Sequence, residues 1–127
     1  MHLHEYHDSG IDVLQLEGEI DLHYASAFRD LLQGKVKSNC PALLLDLTRV
    51  NFIDSTGIAA ILEYLRAATN SGRRFCIGGV AEHVGTVFRI VQLDKSMPIY
   101  VTAAAARDAL VQDRLPSPSQ PLFASAA

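Results

Sequence analysis

The sequence predicts an α/β domain with a small mixed, mostly parallel β-sheet and an antiparallel hairpin at its N-terminal edge. Three observations lead to this class. Short apolar runs alternate with segments whose apolar residues recur at i, i+3 and i+4, which favours strand–helix–strand units. Two strand-like runs flank a glycine-containing turn near the N-terminus. Apolar residues make up 49% of the 127 residues, enough to bury one core.

The first elements are a hairpin and a helix. Residues 2–7 and 11–17 read as strands around the turn at residues 8–10, where Gly10 tolerates a positive φ. We expect Gly18 to end the second strand. From Tyr24 the apolar spacing becomes helical and continues to Gly34, a plausible helix stop.

The remaining elements alternate strand and helix. The apolar run at 42–47 predicts a covered, central strand. A helix follows from Asp54 or Ser55, with its apolar face at Ile58, Ile61, Leu62 and Leu65. Later patterns predict a strand at 73–80, a helix whose core face is Val84, Val87, Phe88 and Val91, a strand at 98–101 and a helix at 103–112.

The chain divides at residue 112. Residues 1–112 carry the strand and helix patterns and are expected to form the domain. Residues 113–127 are rich in proline and serine, with three prolines between 116 and 121, and are expected to form a C-terminal extension.

Composition excludes several function classes. The formal net charge of −3 argues against nucleic-acid binding, which needs an excess of Lys and Arg. The apolar stretches are too short to span a bilayer, so no membrane insertion is expected. The N-terminus lacks the basic start and apolar block of a signal peptide. Only two cysteines, Cys40 and Cys76, fit thiols in a reducing cytoplasm.

The most informative segment is residues 50–58 (VNFIDSTGI), between a covered strand and an amphipathic helix. Asp54, Ser55 and Thr56 meet at a helix start, where backbone N–H groups lack partners. Capping explains one of the three side chains. No Glu or Gln stands three places after any of them, as a capping box requires.

Two interpretations are compatible with this excess of polar groups. The first is capping alone. The second is a modifiable hydroxyl on Ser55, because a helix N-terminus tolerates a phosphate. The added charge beside Asp54 would then repel a docking partner without unfolding the chain.

The chain resembles the STAS domain and, within it, the bacterial anti-sigma factor antagonists. Residues 18–21 (GEID) are similar to the family's Gly-Glu-Leu-Asp turn. Residues 43–47 (LLLDL) followed by 50–57 (VNFIDSTG) resemble its strand and phosphorylation loop. The resemblance extends to about residue 112 and implies helices packed mainly on one face of the sheet.

The resemblance also implies roles for individual residues. Ser55 stands at the phospho-acceptor position, flanked by Asp54 and by Thr56, where many relatives have Ser. Asp21 matches an acidic turn residue that contacts the partner kinase. The start of the helix that partners touch corresponds to Gly57 and Ile58.

The implied mechanism is partner switching in transcription regulation, without enzymatic activity or a cofactor in this chain. The unphosphorylated antagonist binds an anti-sigma factor that is also a serine kinase, and thereby releases a sigma factor. Phosphorylation on Ser55 blocks binding, and a separate serine phosphatase restores it.

Three rival functions are weighed against this interpretation. A Ser55 triad with His23 or His83 lacks a Gly-x-Ser-x-Gly elbow. A metal site at His2, His4 and His7 is disfavoured, because strand alternation turns His7 to the other face. STAS domains also serve as accessory subunits of lipid-transport ABC systems and in other regulators, which would change the partner and keep the site.

Overall fold

The computed structural model describes residues 1–38 and 40–112, which form one sheet with helices on both faces. The strands are paired in chain order, with the first pair antiparallel and the others parallel. In sequence order the elements are β1 (His2–Asp8), β2 (Ile11–Ile20), α1 (Ala25–Lys37), β3 (Ala42–Ile53), α2 (Ser55–Asn70), β4 (Arg74–Gly78), α3 (Glu82–Ile90), β5 (Ile99–Tyr100) and α4 (Ala103–Val111).

The β1–β2 hairpin is confirmed, and its turn is the two-residue kind. Asp8 faces Ile11 in the register, and Ser9 and Gly10 have φ of 54° and 81°. Positive φ at both central residues matches the right-handed twist of the flanking strands. Gly10 is thus required by the turn that sets the hairpin register.

In the part of the chain that the structure describes, three helices cover one face of the sheet and one covers the other. Alternate strand residues, such as Leu43 and Leu45, join the larger core with α1, α2 and α3. The residues between them, such as Leu44, form a smaller core against α4. The predicted mixed sheet with helices mainly on one face is confirmed.

Both long strands extend beyond their predicted ends. Gly18 does not end β2. With φ of 103° it lies at a register shift, and the strand resumes pairing through Ile20. Likewise β3 runs past Leu47 to Ile53, pairing with β2 alone after its pairing with β4 stops at Asp46. At each of the two register shifts β3 has one residue more than β2, so its buried residues lose strict alternation, which hid this part of the strand from the sequence pattern.

The helices also differ in detail from the prediction. Gly34 lies within α1 and does not stop it, because the apolar face continues to Val36. Val91 follows α3 and is 47% exposed, so its predicted core position is wrong. A 3₁₀ turn at Leu93–Lys95 was not predicted.

Two findings concern the ends and the membrane. The predicted extension at 113–127 lies outside the described residues. Within the described ranges, none of the helices combines the length and the apolar character that crossing a bilayer requires.

Candidate functional site

The candidate site lies where β2 and β3 end side by side. Ile20 faces Ile53 in the parallel register. The backbone N–H of Asp54 donates to the Ile20 carbonyl at 3.1 Å, so pairing continues one residue beyond β3. Parallel strands bring their carboxyl ends to one edge of a sheet, which joins the β2–α1 loop to the start of α2.

Asp54 is the N-cap of α2. Its Oδ1 accepts hydrogen bonds from the backbone N–H groups of Thr56, at 3.0 Å, and Gly57, at 3.2 Å. The Thr56 hydroxyl donates to the same oxygen. Two backbone donors of the first helical turn are thus satisfied by one carboxylate oxygen.

The second oxygen of Asp54 ties another loop to this cap. Oδ2 accepts from the backbone N–H of Leu22 at 2.9 Å, across 32 residues of sequence. Hydrogen bonds, first that from the Thr56 hydroxyl and then those from backbone N–H groups, hold the pKa of Asp54 below its usual range against the opposing effect of burial. The ionised carboxylate therefore connects the β2–α1 loop to the first turn of α2.

Ser55 differs from both of its neighbours. It is the first residue of α2 and is exposed, whereas Asp54 and Thr56 are half-buried. Within residues 1–38 and 40–112, no hydrogen bond to the Ser55 hydroxyl is found. Its oxygen is open to solvent and to an approaching macromolecule.

Asp21 lies in the loop that Asp54 holds. Its Oδ1 accepts from the backbone N–H of His23 at 3.0 Å, and its carbonyl accepts from that of Tyr24 at 3.0 Å. These bonds turn the chain from β2 into α1. Because Leu22 is bonded to Asp54, the predicted residues Asp21 and Asp54 are brought together.

Gly57 and Ile58 face inward in this chain. A Cβ on Gly57 would lie 2.8 Å from side-chain carbons of both Ile20 and Ile53, so glycine is required by the chain's own packing. Ile58 is 6% exposed and belongs to the larger core. A contact of these two residues with a partner stays a prediction, whereas Ser55, Asp21 and Thr56 keep accessible surface.

The sequence interpretation missed Leu22, the apolar residue of the β2–α1 loop. Its side chain is 74% exposed, although its backbone is fixed by Asp54. An open groove of about 640 Å³ begins there, passes Thr56 and continues between α1 and α2 to Arg29 and Glu63. An apolar residue between an acidic turn and a helix start is the signal that could have identified it.

In the described part of the chain, the residues of the rival catalytic triad and metal site are not brought together. His23 packs edge-on against Tyr24, with ring centroids 4.8 Å apart, and His83 contacts the carbonyl of Asn51. Neither histidine contacts Ser55. A search of residues 1–38 and 40–112 finds no group of three His, Cys, Asp or Glu side chains placed to hold a metal ion.

Comparison with known proteins identifies the family. The sequence profile of the STAS domain matches residues 4–106. The chain therefore belongs to the STAS domain family, as its resemblance predicted.

The proteins below that are similar to this chain are all named anti-sigma factor antagonists. The chain is 34% identical over 100 residues to the anti-sigma-F factor antagonist RsfB of Mycobacterium tuberculosis, covering 74% of this chain and 76% of RsfB. It is 27% identical over 95 residues to the anti-sigma F factor antagonist of Paenibacillus polymyxa, covering 74% and 81% of the two chains. A crystal structure of an anti-sigma factor antagonist from Mycobacterium paratuberculosis superposes with a TM-score of 0.79 at 25% identity, covering 85% and 92%.

Proposed function

We propose that this chain is an anti-sigma factor antagonist whose docking to an anti-sigma factor is controlled by phosphorylation on Ser55. The relatives named above support the class of function. The observation that supports the site is the exposed Ser55 hydroxyl, which is free of hydrogen bonds within the described residues, at the start of α2. The proposed role is regulatory binding, not catalysis.

The proposed modification is a phosphoryl transfer from a nucleoside triphosphate held by the partner. The Ser55 oxygen forms the new bond to phosphorus, its proton passes to a base of the kinase, and a nucleoside diphosphate leaves. A serine phosphatase reverses the step with water and releases inorganic phosphate. The antagonist supplies only an accessible hydroxyl.

The choice of Ser55 over Thr56 follows from their hydrogen bonds. The Thr56 hydroxyl donates to Asp54, and its side chain is half-buried. A phosphoryl group on Thr56 would remove the hydrogen bond that its hydroxyl donates to Asp54 and would place further negative charge against that carboxylate. On Ser55 it leaves every bond of Asp54 in place.

The phosphate acts on docking and not on folding. It adds about −1.5 to −2 charges at a helix N-terminus, where the peptide dipoles favour negative charge. The same charge stands beside Asp54 and near Asp21, on the surface that includes the exposed Leu22. A partner surface matched to the unmodified hydroxyl would meet an uncompensated, hydrated anion there.

Affinity measurements on three variants test the proposal. The anti-sigma factor is first identified by mass spectrometry among proteins retained by Ser55→Ala from the native cells, and is then purified for calorimetry. We expect wild type and Ser55→Ala to bind equally and Ser55→Glu to bind at least tenfold more weakly. Ser71→Glu is the matched control, because it adds the same charge at the other, exposed end of α2.

Two outcomes would contradict the proposal. Equal affinities of Ser55→Ala and Ser55→Glu would remove Ser55 from the switch. Peptide mapping of protein from native cells provides the second test: we expect one phosphoryl group on Ser55, and a phosphoryl group confined to another residue would move the site.

A further inference from the structure

β1 occupies an open edge of the sheet. Within the described ranges it pairs with β2 and with no other strand, so the backbone N–H and C=O groups that point away from β2, on alternate residues of this seven-residue strand, lack strand partners. Residues 4–7 are all exposed, and Lys35 of α1 contacts only the Glu5 carboxylate among them. A free edge of this length is a template for another strand.

We propose that β1 joins two copies of this chain edge to edge, in an antiparallel pair whose two-fold axis passes between the two Tyr6 residues. A closed dimer with such an axis pairs one residue with its own copy. With Tyr6 at the axis, Glu5 faces His7 of the second copy and His4 faces Asp8 of the second copy. The five facing pairs are one aromatic pair and four pairs of histidine with carboxylate.

The neighbouring registers are less favourable. An axis at Glu5 would oppose two carboxylates, and an axis at His7 would oppose two imidazoles. An axis at His4 would set the charge of Glu5 against the apolar side chain of Leu3. Facing carboxylates destabilise a strand pair, which disfavours the axis at Glu5, and only the axis at Tyr6 sets both carboxylates of residues 4–8 opposite histidines.

The charged side chains of the edge are already held by their own chain. Lys35, whose side chain is only 13% exposed, contacts Glu5, and Arg107 of α4 contacts Asp8. His7 contacts Asp12 of β2. Side chains fixed before association lose little conformational entropy when a second copy arrives.

The interface is small, so the dimer is expected to depend on concentration. Because Asp8 and Ile11 close the two-residue turn, Glu5 and His7 direct their backbone groups outward, and pairing from His4 to Asp8 supplies about four backbone hydrogen bonds. Tyr6, 45% exposed in the single chain, adds an aromatic contact across the axis. An interface limited to one strand falls at the weak end of specific associations.

Disulfide cross-linking tests the register. Directly opposed residues of an antiparallel pair have Cα atoms about 4.5–5.5 Å apart, within the range that a disulfide spans. Tyr6→Cys is therefore expected to cross-link to its copy with oxidised glutathione as oxidant. His4→Cys is the matched control on the same strand face, because in this register it lies about 14 Å from its copy.

The expected result is a cross-linked dimer that forms at least ten times faster for Tyr6→Cys than for His4→Cys. The native thiols of Cys40 and Cys76 are buried and do not compete. Equal rates for the two variants, or faster cross-linking of His4→Cys, would overturn the proposed register.

Sedimentation velocity at micromolar to millimolar protein tests the association itself. The wild type is expected to shift from monomer to dimer, and Tyr6→Lys to remain a monomer, because it places two ammonium groups at the axis. His2→Lys, outside the paired segment, is expected to associate as the wild type does. A wild type that stays monomeric, or a Tyr6→Lys variant that still dimerises, would overturn the proposal; circular dichroism verifies that each variant is folded.

Discussion

At the scale of single residues, the polar cluster at the start of α2 divides into structural and available groups. One oxygen of Asp54 caps the helix and the other accepts a hydrogen bond from the backbone N–H of Leu22, and the Thr56 hydroxyl donates to Asp54. Ser55 is left exposed. The sequence indicated that the cluster exceeds the needs of capping. The sequence could not show which of the three polar side chains are structural, because the bond from Leu22 to Asp54 arises from parallel pairing of distant strands.

Replacing Asp54 tests its structural role. Asp54→Ala removes the cap and the bond to Leu22, so we expect the free energy of unfolding in urea to fall by about 1–2 kcal/mol. Asp30→Ala, at an exposed position of α1, is the control and should change it by less than about 0.5 kcal/mol. Equal effects of the two substitutions would argue against a structural role of the Asp54 hydrogen bonds.

Acid should remove the stabilisation that the ionised Asp54 carboxylate provides. The pKa of Asp54 is lowered in the folded chain, chiefly by the Thr56 hydroxyl. Its stabilising effect is therefore complete above the ordinary carboxyl pKa of about 4, and is lost as pH falls through the folded value. We expect the difference in unfolding free energy between wild type and Asp54→Asn to shrink below about pH 4. A difference that is constant or grows on acidification would contradict this assignment.

At the scale of elements, close packing at the start of α2 explains why Gly57 is needed. A Cβ there would lie 2.8 Å from carbons of Ile20 and Ile53, the last residues of the two strands that carry the site. Gly34, within α1, has no atom within 4 Å of a built Cβ. The two glycines look alike in sequence and differ in what surrounds them.

Alanine at each glycine gives opposite results. Gly57→Ala overpacks the junction of β2, β3 and α2, and should lower the free energy of unfolding by about 1–3 kcal/mol. Gly34→Ala meets no neighbour and should raise it by about 0.5–1 kcal/mol through helix propensity. Urea titrations of both variants decide, and a loss of stability in Gly34→Ala would show that its surroundings are not open.

Most elements could be predicted from the sequence, whereas their ends could not. Helical spacing identified α1 to α3, but Leu62 of the predicted face is 36% exposed while Tyr64 is buried. The spacing alone does not fix how a helix rotates about its axis. Gly18 was wrongly predicted to end β2. It lies at an irregularity within the strand, because pairing with β3 continues on both sides.

At the scale of the whole molecule, one sheet separates two cores of unequal size. Leu110 of α4 is fully buried in the smaller core, and its carbonyl accepts a hydrogen bond from Arg74 of β4. The strands contribute to both cores through alternate residues. The two cores should therefore unfold together.

A cavity in the smaller core tests this coupling. Leu110→Ala should lower the free energy of unfolding by about 2–5 kcal/mol. The neighbouring Val111→Ala, 47% exposed, should change it by less than about 0.5 kcal/mol. We expect one transition for Leu110→Ala, at the same urea midpoint by far-ultraviolet circular dichroism and tyrosine fluorescence. Separate midpoints would show that α4 melts alone.

The placement of α4 across the sheet from α2 has a practical consequence for assays. Burial raises the pKa of the Cys40 thiol to about 11 and also raises that of Cys76, so neither reacts readily with a maleimide dye. A cysteine at the exposed position of Val111 would accept the dye on the opposite side from Ser55. Fluorescence anisotropy could then test the proposed docking at the start of α2 in real time, with the fluorophore on the other side of the sheet.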